Sequence, residues 1–355
     1  MYLYNNSYIN PKTFQKSKRT PDFDNLIKVI NREKPRRPTL FEFVMNQEIY
    51  DALTEHIQYD LNDPLLQHKK MADAFRIAGY DFVAMPGSRF YFETNRPGPA
   101  YLKTFSLNDV GVICDRPSYE NYKWPDPDSY DYSVLDQIAG YIPDGMKIIA
   151  CDPYGVLEQV THLTGYDNLC YMLADDPGLV KELFDQVGSR LVRYHEICAG
   201  FKSVAAHFLG DDWGFNSQTM ISHGHLRKYV TPWHKKAVET IHAAGKIAIL
   251  HSCGNLGGMM EDVIEDLRYD AKHSFEDKIV RVEDAYDLYG KRIALLGGID
   301  LDFLCRSTPE EVYNRSASML EKTGSVGYAL GSGNSIPGYV PIGNYLAMNA
   351  AAVFQ

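Results

Sequence analysis

The chain has 355 residues, 45% of them hydrophobic, which is enough for one large α/β domain or two ordinary domains with a substantial core. Its formal net charge of -10 argues against a nucleic acid or an acidic membrane as partner, because both require a basic face. Neither a membrane-length apolar stretch nor a signal-peptide layout at residues 1–6 is found, which predicts a soluble cytoplasmic protein. The cysteines are scattered, so we expect reduced thiols.

Residues 1–38 are polar and rich in Lys and Arg, and are predicted to form an N-terminal arm before a domain over 39–355. From there, short apolar runs alternate with longer amphipathic stretches. The predicted strands are Leu40 to Met45, Asp81 to Met85, Lys147 to Cys151, Ser203 to Leu209, Lys246 to Leu250, Asp270 to Ser274, Arg292 to Leu296 and Val326 to Leu330. The predicted helices include Asp176 to Ala199, Ser222 to Ala244, Met259 to Leu267 and Pro309 to Lys322. Such strand-helix units indicate an α/β fold, a parallel (β/α)8 TIM barrel, with an open doubly wound sheet as the alternative.

Residues 86–143 interrupt this alternation and are rich in Tyr, Pro and Asp. A connection of this length in a compact domain is more often functional than idle. We therefore expect a long insertion after the second strand that forms a lid over the barrel mouth. The alternative is a surface excursion that packs on the outside.

His251 and Cys253 stand two residues apart, directly after the apolar run 246–250. Side chains two apart on a strand point the same way, so the imidazole and the thiol are expected side by side. This pair suits zinc, although a buried cysteine beside a hydrogen-bonded histidine would have the same spacing. Glu276, just past the neighbouring strand, is the predicted third metal ligand, and Asp211 is the second choice for that position.

Polar residues also follow the other strands, and the chemistry of parallel barrels lies at the C-terminal ends of their strands. We assign Asp211 and His273 to catalysis. The residues assigned to substrate binding are Asp152, Asp212, Asp300, Ser332 and Asn334. One of Asp211 and Asp212 is expected to cap a helix while the other points inward. Asp300 could equally be a helix cap, and His273 a structural histidine.

Four further histidines, His223, His225, His234 and His242, fall in a helical pattern among Lys and Arg residues. We expect them on a solvated helix face rather than at the site.

Five runs in the chain stand out together: LGDD (209–212), GKIAILHSCG (245–254), LLGGID (295–300), STPEEV (307–312) and GYALG (327–331). Their order and spacing resemble those of the uroporphyrinogen decarboxylase superfamily, and the likeness extends from about Pro38 to the C-terminus. The resemblance implies a (β/α)8 barrel with its site at the C-terminal mouth. It also implies one of two activities: metal-free decarboxylation of uroporphyrinogen, or zinc-dependent methyl transfer that involves a methylated corrinoid protein.

The chain departs from the decarboxylases at two places. Where they carry an Arg-Gln-Ala-Gly-Arg run and a Phe-Ser-Asp triplet, this chain has Met45-Asn46-Gln47-Glu48 and Met85-Pro86-Gly87-Ser88-Arg89. Thiol-methylating members resemble the chain at His251 and Cys253, but they carry a second cysteine in the loop where Asn334 stands.

The expected function is therefore that of a zinc-dependent methyltransferase, which moves a methyl group between a corrinoid protein and a small thiol, ether or related substrate. The corrinoid would arrive on a separate partner protein, because the chain lacks an Asp-x-His-x-x-Gly run that would carry it. A metal-free decarboxylase and a non-catalytic small-molecule binding barrel are the alternatives. The oligomeric state stays open, a homodimer included.

Overall fold

A parallel sheet of seven strands, in chain order from first to last, forms the centre of the computed structural model, which describes residues 9–94, 108 and 111–354. The strands are β1 (Phe82–Pro86), β2 (Lys147–Cys151), β3 (Val204–Gly210), β4 (Ile247–His251), β5 (Ala271–His273), β6 (Ala294–Leu296) and β7 (Tyr328–Ala329). A doubly wound sheet reverses its strand order at a switch point, and this sheet does not. The α/β prediction is confirmed, and the sheet curls in a barrel-like manner.

Helices separate the strands and cover the outside of the sheet. They are α1 (Pro11–Gln15), α2 (Asp24–Ile30), α3 (Gln47–Thr54), α4 (Leu66–Ala78), α5 (Arg116–Asn121), α6 (Val134–Ala139), α7 (Val156–Thr164), α8 (Tyr166–Asp175), α9 (Pro177–Ala199), α10 (His223–His225), α11 (Thr231–Ala243), α12 (Val282–Tyr289), α13 (Leu301–Arg306), α14 (Pro309–Thr323) and α15 (Ile342–Val353). Helix α14 begins with the predicted cap: Thr308 Oγ1 accepts the Glu311 N–H, and the Glu311 carboxylate accepts the Thr308 N–H.

The strand prediction is wrong for one segment, Leu40 to Met45, which forms no continuous strand. It touches the sheet at two parallel bridges, from Leu40 to Leu330 and from Met45 to Ile336, so it lies beside β7. Between the bridges, the backbone N–H of Ser332 donates to the Glu42 carboxylate rather than to a backbone carbonyl. This side-chain partner interrupts the ladder.

One predicted helix also differs from the structure. Within Met259 to Leu267 the chain forms a π-helical segment at Asp262–Asp266, preceded by a 3-10 turn at Gly257–Met259. A second π-helical segment, Leu226–Val230, links α10 to α11 inside the predicted helix Ser222 to Ala244.

Residues 9–38 pack against the rest of the fold, because α1 buries Phe14 and α2 buries Leu26 and Val29. Between β1 and β2, the described residues include α5, a 3-10 turn at Pro127–Ser129 and α6. Part of the predicted insertion, residues 95–107 and 109–110, lies outside the described residues, and its role as a lid stays a prediction. Among the helices of the described ranges, none is both long and apolar enough to cross a membrane.

Candidate metal site

Three side chains with metal-ligand chemistry meet just beyond the C-terminal ends of β3 and β4. Cys253 Sγ lies 3.3 Å from His251 Nε2. Asp212 brings Oδ1 to 3.7 Å from the same nitrogen and accepts a 2.8 Å hydrogen bond from the Cys253 backbone N–H. In the described parts of the chain, this is the one group of three His, Cys, Asp or Glu residues whose ligand atoms all lie within 4.8 Å of one another. We call these three residues the mouth cluster.

A second buried imidazole supports His251 from the inside of the sheet. His273 ends β5, and its Nδ1 lies 2.8 Å from His251 Nδ1, while its Nε2 lies 3.1 Å from the Ser332 carbonyl oxygen. The ring of Phe43 contacts both imidazoles, with centroid separations of 4.9 and 5.5 Å. The side chain of Asp212 is 36% exposed whereas that of His251 is 9% exposed, so solvent reaches the cluster from the mouth.

The Cys253 sulfur has two further polar neighbours. Asn334 donates a hydrogen bond from Nδ2 to Sγ over 3.0 Å, and its Oδ1 accepts the Ser335 N–H at 2.7 Å, which fixes the orientation of the amide. The thiol lies 3.7 Å from Ser274 Oγ. Asn334, assigned from the sequence to substrate binding, thus lies directly against the predicted metal-binding sulfur.

The cluster holds more acidic groups than its surroundings neutralise. Burial raises the pKa of Cys253 well above its usual range, and the nearby Asp212 carboxylate raises it further. Burial also raises the pKa of Asp212. Glu158 behaves likewise, because burial and then the charges of Asp212 and Asp211 raise its pKa well above its ordinary value. A divalent cation would reverse these shifts, because it stabilises the anionic form of each ligand.

Lys272 is a buried cation that interacts electrostatically with Cys253 and Asp212, and sequence reasoning missed it. Its side chain is buried, and its Nζ donates to the carbonyl oxygens of Ser252, at 3.3 Å, and Ser274. Burial lowers the pKa of Lys272 to about 8, although Cys253 and Asp212 oppose that shift. A lysine in the middle of a predicted strand, where side chains are usually buried, was the signal that could have identified it. Glu158, in the first turn of α7, carried no comparable signal.

Asp211 lies outside the mouth cluster and is fully buried. Its carboxylate accepts the N–H groups of Leu157 and Glu158 at the start of α7, at 3.1 and 2.9 Å. It also accepts a hydrogen bond from Trp213 Nε1, and it lies 2.8 Å from His234 Nε2. One of the two aspartates therefore caps a helix and the other faces the site, as expected, but the capped helix precedes Asp211 in the chain.

His234 corrects the expectation that it lies on a solvated helix face. Its side chain is 1% exposed, and its Nδ1 lies 2.6 Å from the Tyr269 hydroxyl. The Lys and Arg neighbours that suggested a solvated face are on other sides of the same helix. Only the packing of α11 against α9 and β4, which brings His234 to Asp211 and Tyr269, places this side chain inward.

The remaining assigned residues lie around the cluster at different depths. Glu276 accepts the Gly254 N–H at 3.1 Å and does not join the three-residue group, in which Asp212 takes the third place. Asp152 accepts the Gly210 N–H at 3.1 Å. Asp300 caps α13 through a 3.0 Å bond from the Phe303 N–H, the alternative that the sequence left open. Ser332 is fully buried and presents its carbonyl oxygen to His273.

Comparison with known proteins gives a family match and a fold match. The sequence profile of the uroporphyrinogen decarboxylase (URO-D) family matches residues 153–353. No curated protein sequence matches the chain significantly. A methyltransferase from Methanosarcina mazei shares the fold, with a TM-score of 0.65 and 15% sequence identity over 97% of this chain and 98% of that one.

Two more distant structures show weaker likeness. A proposed vitamin-B12-independent methionine synthase from Listeria monocytogenes has a TM-score of 0.48 and 10% identity over 89% of this chain and 97% of that one. Xylanase 10C from Cellvibrio japonicus has a TM-score of 0.45 and 8% identity over 90% of this chain and 68% of that one.

Proposed function

The chain belongs to the uroporphyrinogen decarboxylase family, and within that family we propose that it is a zinc-dependent methyltransferase that moves a methyl group between a corrinoid protein and a small thiol, ether or related substrate. The observation that carries this proposal is the mouth cluster of Asp212, His251 and Cys253. Uroporphyrinogen decarboxylation needs no metal, so a tight set of metal-ligand groups at the mouth favours the metal-dependent activity. The Methanosarcina mazei protein of the same fold is itself described as a methyltransferase.

The donor set fits zinc. Imidazole nitrogen, thiolate sulfur and carboxylate oxygen are the three ligand types that zinc binds, and three protein ligands with one open position are typical of catalytic sites. With bonds of about 2.0–2.3 Å, neighbouring ligand atoms of a tetrahedral site lie roughly 3.3–3.7 Å apart. The separations of 3.3 Å between Cys253 Sγ and His251 Nε2, and of 3.7 Å between His251 Nε2 and Asp212 Oδ1, lie within that range.

Zinc bound there would supply Lewis acidity, which favours the thiolate form of a bound thiol or polarises a bound ether oxygen. The residues around it have separate tasks. Lys272 offsets the negative charge of the cluster, and Phe43 excludes water from the inner side of His251. The Asp212 side chain is 36% exposed, and it marks the side from which a substrate approaches. Preorganised charge of this kind lowers the barrier of a displacement reaction.

The methyl group would pass between the substrate and a corrinoid bound to a separate protein that docks at the mouth. Large side chains exposed beyond the C-terminal ends of the strands support this part of the proposal. They are Val44, Tyr91, Phe215 and Tyr339, with exposures of 41, 58, 40 and 71%. Exposed aromatic residues are enriched at protein interfaces. The segment 86–143 is proposed to shape the substrate pocket beside them.

A methylcobalamin demethylation assay tests the proposal. The zinc-supplied protein is incubated with methylcobalamin and a panel of thiols as methyl acceptors, and separately with cob(I)alamin and a panel of methyl ethers as methyl donors. Loss of the methyl-cobalt absorbance is followed in the first case and its appearance in the second. We expect turnover with at least one thiol or methyl ether and its loss in Asp212→Asn. Asp266→Asn, which removes a carboxylate from an exposed ion pair with Lys235, is the matched control and is expected to retain activity. Decarboxylation of a porphyrinogen, or ligand binding without turnover, would support an alternative function instead.

A further inference from the structure

We propose that His273 is a positioning residue that holds His251 in the tautomer with its proton on Nδ1, so that His251 Nε2 presents a free lone pair to the mouth cluster. The inference deepens the proposed function and rests on it for its chemical purpose. The placement of the proton itself follows from three contacts: His251 to His273, His273 to Ser332, and Cys253 to His251.

Ser332 locates the proton of His273. Its carbonyl oxygen can only accept a hydrogen bond, so the His273 nitrogen 3.1 Å away, Nε2, carries a proton. His273 is fully buried beside the rings of Phe41 and Phe43, an apolar setting that disfavours an imidazolium ion. A neutral imidazole has one proton, so His273 Nδ1 is an acceptor.

The acceptor nitrogen of His273 in turn locates the proton of His251. Its Nδ1 lies 2.8 Å from His273 Nδ1, a distance that requires one donor and one acceptor. Because His273 Nδ1 is the acceptor, His251 Nδ1 is the donor. The proton of neutral His251 is thereby used, and Nε2, which lies 3.3 Å from Cys253 Sγ, is left unprotonated. Histidines that bind metals usually donate their other ring N–H in this way, which fixes the tautomer and the ring orientation.

A glycine makes room for the arrangement. Gly297 has φ of +73°, and a Cβ built there would come within 2.2 Å of the Ser332 oxygen and 2.9 Å of His273 Nε2. Only glycine fits this close approach, because an L side chain would be strained at this φ and would push the donor and the acceptor apart. Gly297, the first glycine of the LLGGID run, thus makes room for the hydrogen bond that sets the His273 tautomer.

Histidine 15N NMR of the metal-free protein tests the inference without any need for activity, with the His251 signals identified by their loss in His251→Gln. We expect His251 to carry its proton on Nδ1 in the wild type and to shift toward the Nε2 tautomer in His273→Leu. His273→Asn, whose Oδ1 can replace the acceptor nitrogen, is expected to retain the Nδ1 tautomer. By chelator competition, zinc affinity is expected to fall about tenfold to a hundredfold in His273→Leu and much less in His273→Asn.

His207 provides the matched control, because it forms a similar buried imidazole pair with His195, with 3.2 Å between the Nδ1 atoms. His207→Leu is expected to leave the His251 tautomer and the zinc affinity unchanged. A wild-type His251 protonated on Nε2 would overturn the inference whatever the zinc content, as would unaltered zinc affinity in folded His273→Leu. Protonation on Nδ1 in a protein that binds no zinc would confirm the tautomer and overturn the proposed function alone.

Discussion

Asn334 donates its side-chain N–H to the sulfur of Cys253 over 3.0 Å, from the loop position at which the family resemblance implies a second cysteine in thiol-methylating members. A hydrogen bond to sulfur stabilises the thiolate form, but it leaves the fourth position of the proposed site without a protein ligand. In the proposed site this position is therefore open to a heteroatom of the substrate, such as a thiol sulfur or an ether oxygen.

Replacement of Asn334 is expected to change metal binding in two directions. Asn334→Ala removes a donor to a charged sulfur and should weaken zinc binding by about tenfold or more. Asn334→Cys supplies a second thiolate and should tighten it, at the expense of turnover, because it fills the open position. Chelator competition measures both affinities. Equal zinc affinity in the wild type and both variants would show that position 334 does not face the ion.

Zinc binding is expected to release protons. Burial holds the pKa of Cys253 above its usual range, so the thiol is protonated before the ion binds, whereas burial lowers the pKa of His251 to about 3 and leaves the imidazole neutral. The association constant should therefore rise about tenfold or more per pH unit between pH 6 and 7.5. Isothermal titration calorimetry in two buffers of different ionisation enthalpy counts the protons. Release of none would contradict Cys253 as a ligand.

Asp211 is expected to act through stability. Asp211→Asn removes the buried charge that pairs with His234 and holds the first turn of α7, so unfolding should become easier by about 3–5 kcal/mol. Urea denaturation measures this loss. Asp270→Asn, at a partly exposed His242–Asp270 pair of the same 2.8 Å length, should lose less. An Asp211→Asn protein with unchanged stability but no turnover would instead support the catalytic assignment.

Glu42 is expected to make stability fall as the pH rises. Burial raises the pKa of Glu42 to about 8 in the folded protein, whereas an unfolded glutamate titrates at about 4.3. Between those values the folded state binds the extra proton, so the free energy of unfolding should decrease by up to about 1.4 kcal/mol per pH unit. Glu42→Gln should lack this decrease. Subtracting the free energy of unfolding of Glu42→Gln from that of the wild type at each pH removes the contribution of the histidines, which both proteins share. Parallel profiles of this free energy against pH would contradict the prediction.

Apolar runs alone determine the burial of several of the strands that sequence reasoning found. Lys147–Cys151 was predicted with its observed bounds, because both faces of such a strand are apolar and its ends are polar. The segment 40–45 has the same local pattern, yet Glu42 bonds with Ser332 where a ladder would need a backbone carbonyl. The identity of a strand's partner is a long-range property, which the local pattern does not contain.

The site was also predictable only in part, namely where the direction of a side chain follows from its position along a strand. Alternation along a strand placed His251 and Cys253 on one face, and the same alternation makes Asp212, like the inward-facing Phe208, point toward the site while Asp211 points away. Contacts between distant segments, such as His273 with Ser332 or Asp211 with α7, depend on how the strand ends and the helices come together in the fold. Sequence spacing alone could therefore not predict that His273 contacts His251 or that Glu276 lies outside the mouth cluster.

Zinc content measured by plasma mass spectrometry, on protein purified from zinc-supplied medium without chelators, tests the central claim most directly. The account predicts about one zinc ion per chain in the wild type and in Cys305→Ala, which alters another partly buried cysteine away from the cluster. It predicts loss of the ion in Cys253→Ala. A wild type without zinc, or a Cys253→Ala protein with undiminished zinc, would contradict it.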